Sequence, residues 1–228
     1  MEILGLVDIH WSAKRPLELP DLGGVDLVLI AGDLTHFQGS DVAETLLRSI
    51  TNAGPRVLAI CGNVDRPEIE GLLGRQGIGL DRQARIVEGI RFVGLSGGLP
   101  FGGCPYERTE EAFEMAAAEA WEAAEALPAA ELTVFLSHQP PRDTACDLAR
   151  GRHVGSQAIR ECIEEHQPDL VLCGHIHEAI GCDRIGNSLI VNPGPWLSGN
   201  LLRLRIESGE IELRPPLPLG APTSRSVS

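Results

Sequence analysis

Five short segments place possible metal-ligating side chains at the ends of apolar runs: VDIH at 7–10, AGDLTH at 31–36, CGNVD at 61–65, LSHQP at 136–140 and CGHIH at 173–177. A single histidine beside a core strand is most often a packing residue, but His175 and His177 form a pair. In extended backbone, residues two apart face one side about 6.5–7 Å apart, so both rings can serve one site or two adjacent ions. Asp8, His10, Asp33, Asn63, His138, His175 and His177 together offer imidazole nitrogens and carboxylate or amide oxygens, without thiolate. That donor set suits Mn, Fe or Zn, with Ni or Co as further choices, better than Ca or Mg. Seven groups exceed the needs of one tetrahedral ion. They fit two ions about 3.5–4 Å apart, bridged by one carboxylate. Only Asp8 and Asp33 are anionic, so two divalent ions would leave the cluster about two charges positive and attractive to phosphate.

Such convergence needs a scaffold. EILGLVD, VDLVLIAGD, the helix-like SDVAETLLRSITNAGP and RVLAICGN alternate in a βαβ rhythm, with strands apolar on both faces. In open α/β sheets, ligand sites gather beyond the carboxyl ends of strands, where all five segments fall. Gly32, Gly62 and Gly174 are expected there because a residue without Cβ lets the chain turn sharply. The pattern predicts a helix from Ser40 as N-cap to Gly54–Pro55, a second from about Thr109 to Leu127, and a third from Ser156 to His166. Turn signals at Glu88–Gly89, Gly186–Asn187 and Ser208–Gly209 predict antiparallel hairpins among the later strands. Residues 1–213 read as one domain. RPPLPLGAPTSRSVS, from 214 to 228, reads as a Pro-rich, weakly ordered tail.

Composition narrows the partners. The 228 residues carry a formal net charge of −13, which argues against a nucleic-acid groove or an anionic membrane as the main partner. No stretch approaches the roughly 20 apolar residues of a spanning helix, and MEILGLVDIHW lacks the basic start of a secretory signal, so a cytoplasmic location is expected. The six cysteines contain no CxxC pair. Cys61 and Cys173, each before a motif glycine, read as small buried residues at strand ends. No oligomeric state is read from the sequence.

Taken in order, the five blocks resemble the calcineurin-like metallophosphoesterase superfamily. VNPGP at 191–195, GDLTHFQ at 32–38 and HVGS at 153–156 are similar to small stand-alone members of its archaeal and bacterial predicted-phosphoesterase branch. The resemblance implies a four-layer αββα sandwich of two mixed sheets with the site at one edge. It also implies that Asp8, His10 and His177 hold one metal and that Asn63, His138 and His175 hold the other. Asp33 would bridge them, and a hydroxide shared by both ions would attack phosphorus in line.

One departure matters. The family block often reads GNH, and its histidine is thought to protonate the leaving group, whereas this chain reads GNVD. Val64 cannot donate a proton, a loss of about 10²- to 10⁴-fold for poor leaving groups. A small phosphodiester with an acidic leaving group is therefore the favoured substrate. A phosphomonoester, and a catalytically silent metal-binding interaction scaffold, are the other readings. His36 and His153 are candidate substrate or proton-transfer residues at the rim. Asp65 is expected to brace the ligand loops from behind. Arg66 is read as a surface residue, His166 as a partner of a helix C-terminus, and LSGGLPFGGCPY at 95–106 as a connecting loop or pocket lip.

Overall fold

A computed structural model describes residues 1–214 and 225–226. The first sheet contains β1 (Glu2–Leu6), β2 (Leu27–Ala31) and β3 (Arg56–Ile60), with α1 (Ser40–Asn52) between β2 and β3 and α2 (Pro67–Arg75) after β3. The second contains β4 (Gln83–Val87), β5 (Ile90–Leu95), β6 (Leu132–Ser137), β9 (Leu170–Leu172), β10 (Gly181–Ile185) and β11 (Ser188–Asn192). α3 (Glu110–Glu125) and α4 (Gln157–His166) cover it, and β7 (Leu148–Ala149) with β8 (Arg152–His153) forms a separate small hairpin. The chain then returns through β12 (Leu202–Glu207), β13 (Glu210–Arg214) and β14 (Arg225–Ser226) to the first sheet.

Strand order is β14-β13-β12-β1-β2-β3 in one sheet and β10-β11-β9-β6-β5-β4 in the other. β1, β2 and β3 are parallel, as are β5, β6, β9 and β11; antiparallel strands flank the second block on both sides and the first only beside β1.

The layering follows from side-chain alternation. Along β2, Leu27, Leu29 and Ala31 enter the core between the sheets, whereas Val28 and Ile30 face the layer of Leu46, Leu47, Ile69 and Leu73. Along β6, Val134 and Leu136 point inward and Phe135 meets Phe113, Trp121 and Ile163. Both faces of the central parallel strands are thus buried, giving the four-layer αββα sandwich, and full burial of one such side chain is worth about 1.5–3 kcal/mol.

Several local expectations are refined. α1 is capped by Gly39, not Ser40, because Ser40 already has helical geometry and Gly39 is extended with no side-chain cap. α2 was not anticipated, although Pro67 in its first turn, Glu68 and Glu70 nearby, and buried Ile69, Leu72 and Leu73 are ordinary helix signals in a short segment. Thr109 and Ser156 do cap α3 and α4, accepting from the N–H groups of Ala112 and Ile159. The three hairpins form at the expected turns. At the C-terminus, Arg214 is the last residue of β13, paired opposite Arg203, and Arg225–Ser226 pairs with Glu210–Ile211. The rest of the anticipated tail, 215–224 and 227–228, lies outside the described residues.

Candidate metal centre

Every candidate ligand stands one to five residues past the end of a parallel strand. β1 leads into Asp8 and His10, β2 into Asp33, β3 into Asn63, β6 into His138, and β9 into His175 and His177. The two sheets therefore contribute from opposite sides to one edge of the sandwich. Backbone bonds tie these loops together: His10 N–H donates to Asp33 O at 2.8 Å, Trp11 N–H to Leu34 O at 3.1 Å, and Gly174 N–H to His138 O at 3.1 Å.

The backbone there is strained in a specific way. Asp8, His10, Asp33 and His175 adopt left-handed φ values of 51°, 46°, 52° and 68°. Such values cost of order 1–3 kcal/mol each for residues other than glycine, and they cluster where surrounding contacts fix a functional geometry. The motif glycines have a related cause. Gly32 is left-handed at 93°, and a Cβ there would lie 2.3 Å from His138 Nδ1. A Cβ on Gly62 would lie 2.1 Å from Asp33 Oδ1, and one on Gly174 would lie 2.7 Å from Asp8 Oδ2. At Gly62 and Gly174 close approach, rather than a sharp turn, requires glycine.

All seven side chains come together, in two groups. In the first, His10 Nε2 lies 3.2 Å from His177 Nε2 and 3.9 Å from Asp8 Oδ1, and His177 Nε2 lies 3.4 Å from Asp8 Oδ1. In the second, Asn63 Oδ1 lies 3.1 Å from His138 Nε2 and 3.0 Å from His175 Nδ1. Asp33 Oδ2 stands between them, 3.5 Å from His10 Nε2 and 3.4 Å from His138 Nε2. The ligand atoms of Asp8, His10 and His177, and those of Asp8, Asp33 and His138, each fall within 4.8 Å of one another, so either set could hold an ion.

The rings are oriented from behind. His138 Nδ1 lies 2.9 Å from Ala31 O, aiming Nε2 into the cluster. His175 N–H donates to Asp8 at 3.0 and 3.2 Å, and Val64 N–H donates to Asp33 Oδ1 at 3.0 Å. His10 Nδ1 is buried and finds no partner among the described residues, so what holds that ring acts at Nε2.

The charge states divide the cluster, with the hydrogen bond to Asp8 raising His177 while two other rings are lowered. Burial, followed by the neighbouring His138, lowers His175 to about 4, and burial lowers His10 against the pull of Asp33 and Asp8. Both rings are then neutral and present lone pairs. Burial alone would raise Asp33, but His138, His10 and the Val64 N–H outweigh it and hold the carboxyl at about 2. The same contact raises His138 to about 9 against its burial. Nitrogen facing nitrogen at 3.2 Å beside two buried carboxylates is a donor set that divalent cations satisfy better than protons do.

The remaining candidates separate. Asp65 is fully buried and accepts from the N–H groups of Leu34, Thr35 and Gly62 at 2.9–3.0 Å, locking the loops after β2 and β3 together. Burial and the Asp33 charge push its carboxyl up to about 7 against those donors. His36 is exposed, its ring edge-on to His10 at 5.6 Å. His153 does not join the seven: its Nδ1 is 2.6 Å from Asp147 Oδ1. Arg66 Nε donates to Phe37 O at 3.1 Å, and His166, in the last turn of α4, stacks on Trp121 at 4.3 Å. All six cysteines are free, and burial pushes the Cys61 and Cys173 thiols well above their usual range. The 95–106 loop passes beside the site, since a Cβ on Gly98 would lie 3.0 Å from Asn63 Cβ. Two participants escaped the sequence reading. Gln139 links this loop to the following one through Leu99 N–H and Val154 O, and its only signal is its place after His138. Asp147 lies six residues before His153, a spacing with no regular periodicity to mark it.

Comparison with known proteins gives the family and the fold. Residues 1–199 match the model of the calcineurin-like phosphoesterase superfamily domain. The chain is 34% identical over 205 residues to MJ1162, an uncharacterized protein of Methanocaldococcus jannaschii, covering 86% of this chain and 88% of that one. Among solved structures it is similar to TT1561 of Thermus thermophilus, with TM-score 0.66, 18% identity, and 93% and 97% of the two chains covered. It is also similar to a dimetal phosphatase from Danio rerio, with TM-score 0.62, 12% identity, and 93% and 95% covered. Five strand-end loops that fold to one cluster, and a family match spanning both sheets, lead to the same conclusion: this chain belongs to the calcineurin-like phosphoesterase superfamily.

Proposed function

We propose that this protein is a dinuclear, divalent-metal-dependent phosphoesterase that hydrolyses a small phosphodiester with an acidic leaving group. Asp33 carries the reading, because one carboxylate oxygen faces His10 Nε2 at 3.5 Å and His138 Nε2 at 3.4 Å. Asp8, His10 and His177 would hold one ion, Asn63, His138 and His175 the other, and Asp33 both. Mn, Fe or Zn suits this mixture of nitrogen and oxygen donors. When bound, two such ions supply an activated water for in-line attack on phosphorus and positive charge for the phosphoryl oxygens.

The protein's own groups set the rest. Asp33 stays ionised because His138 and the Val64 N–H both stabilise its charge. Asn63 is aligned between His138 and His175 and holds those two rings in register. Beside it, Val64 is buried and apolar, so that loop offers no proton to a departing oxygen. An acidic leaving group departs most readily from such a loop. The fold shared with a dimetal phosphatase supports the reading. The net charge of −13 supports a small substrate over nucleic acid. Six free cysteines, together with the absence among the described residues of any helix long and apolar enough to cross a membrane, accord with a cytoplasmic location.

Metal analysis and hydrolysis of bis(p-nitrophenyl) phosphate with added Mn, Fe, Co, Ni or Zn test the proposal. We expect about two ions per chain and metal-dependent turnover. Asp33→Asn should lower kcat at least about 100-fold, the scale of losing one electrostatic stabiliser, and reduce the bound metal. Absence of turnover with all five metals would leave a metal-binding scaffold instead.

A further inference from the structure

Val64 leaves open which group protonates a less acidic leaving oxygen. Outside the seven cluster residues, the chain has three histidines: His36, His153 and His166. His166 is stacked on Trp121 in the helical layer. His36 lies against His10, and no carboxylate among the described residues orients it. His153 differs from both.

Its Nδ1 is 2.6 Å from Asp147 Oδ1, and the Asp147 side chain is fully buried. Asp147 also accepts from the N–H groups of Thr144 at 3.0 Å, Gly155 at 2.9 Å and Asp143 at 3.2 Å. A carboxylate pinned by three backbone donors cannot follow the ring, so the ring is fixed by the carboxylate. Nδ1 is thereby held as the donor, and Nε2 is left for another partner. The His153 side chain is 39% exposed. The β7–β8 hairpin that carries it is moored at both ends to the metal-site loops. Arg150 N–H donates to the carboxylate of Glu178, the residue after His177. Val154 O accepts at 3.0 Å from the side chain of Gln139, the residue after His138. That Gln139 oxygen is 3.4 Å from the Cβ position of Gly98, itself 3.0 Å from Asn63 Cβ. The hairpin thus lies beside both groups, anchored next to His177 and next to His138, and the Gln139 contact runs on to the Asn63 loop, where Val64 lacks a donor.

Building on the phosphoesterase reading, we propose that His153 is the general acid for the leaving group and that Asp147 is its positioning residue. As water adds to phosphorus and gives up one proton to solvent, the bond from phosphorus to the leaving oxygen breaks, and its electron pair stays on that oxygen. The oxygen takes the proton from Nε2 of the protonated ring, releasing an alcohol. His153 remains neutral, with Nδ1–H still directed at Asp147, and regains its proton from solvent. His153 then determines how far the enzyme reaches beyond acidic leaving groups.

The test compares metal-loaded parent and His153→Ala on the p-nitrophenyl and ethyl esters of phenylphosphonate, which share the transferred group and differ in leaving group. We expect at least about a 100-fold loss of kcat on the ethyl ester and less than about threefold on the nitrophenyl ester, with metal content unchanged. Asp147→Asn should show the same asymmetry, and nitrogen-15 NMR of the parent should show the His153 proton on Nδ1. Equal losses on both esters, no loss on either, the asymmetry appearing in His36→Ala instead, or a parent that cleaves only the nitrophenyl ester would each overturn the role of His153 while leaving the phosphoesterase reading intact. A parent that cleaves neither ester overturns both.

Discussion

Gly62 shows how little room the candidate centre leaves. A methyl group there would sit 2.1 Å from Asp33 Oδ1 and 2.4 Å from Asp33 N, well inside van der Waals contact. Gly62→Ala must therefore move Asp33, the residue that faces both groups of ligands. We expect the variant to remain folded but to lose at least one bound ion, read by metal analysis after dialysis. Retention of full metal content would show that the Asp33 loop yields at no cost to the site. The left-handed residues Asp8, His10, Asp33 and His175 belong to the same account. Asp and His tolerate positive φ better than branched residues do, so the residue types that bind cations are also those the tight loops accept.

Among the elements, α3 and α4 are joined by a cap that serves both. Ser156 Oγ accepts from Ile159 N–H at 3.2 Å and donates to Glu110 Oε2 at 2.6 Å, while Glu110 also accepts from Gln157 and Ala158 N–H. A carboxylate from the first turn of α3 thus lies on the N-terminus of α4, where the helix dipole favours negative charge. Ser156→Ala should destabilise the protein by about 1–2 kcal/mol in urea unfolding, the usual cost of a lost N-cap, without reducing metal content. The sequence marked Ser156 as a cap, because serine before an apolar period is a local signal. It did not mark the bond to Glu110, since 46 residues separate the partners. α2 shows the converse, a helix with clear local signals that its nine residues kept from standing out between two strand segments.

At the scale of the whole molecule, a polar network, buried at Asp81 and exposed at Arg82 and Glu119, joins the two halves of the sandwich. Arg108 pairs with Asp81 at 2.6 Å, Asp81 accepts from Ser96 N–H, and Arg82 reaches both Glu70 on α2 and Glu119 on α3. Burial and the adjacent Asp81 raise Glu70 from its ordinary 4.5 to about 7. Folded protein then holds a proton that the unfolded chain has released, so this contribution to stability is complete below about pH 4.5 and is lost as pH rises through about 7. Arg108 holds Asp81 below the usual carboxylate range despite burial, which adds stability above about pH 4 that is lost in acid. Urea midpoints measured from pH 5 to 8 should therefore fall less steeply with pH in Glu70→Gln than in the parent, where Asp65 and His138 add to the fall and His175 opposes it below about pH 6.5. An unchanged slope would show that Glu70 is ionised throughout.

The sequence by itself determined the βαβ order, the hairpin turns, the residue set of the centre and, through its resemblance, the superfamily and fold. These are carried by local periodicity, by turn chemistry and by motifs a few residues long. Only the tertiary structure decided that one oxygen of Asp33 faces both groups of candidate ligands, that Gly62 and Gly174 answer to the side chains of Asp33 and Asp8 rather than to turns, and that Asp147 orients the His153 ring. Each of these depends on distances between segments remote in the chain, and such distances are set by how two sheets pack across a common core.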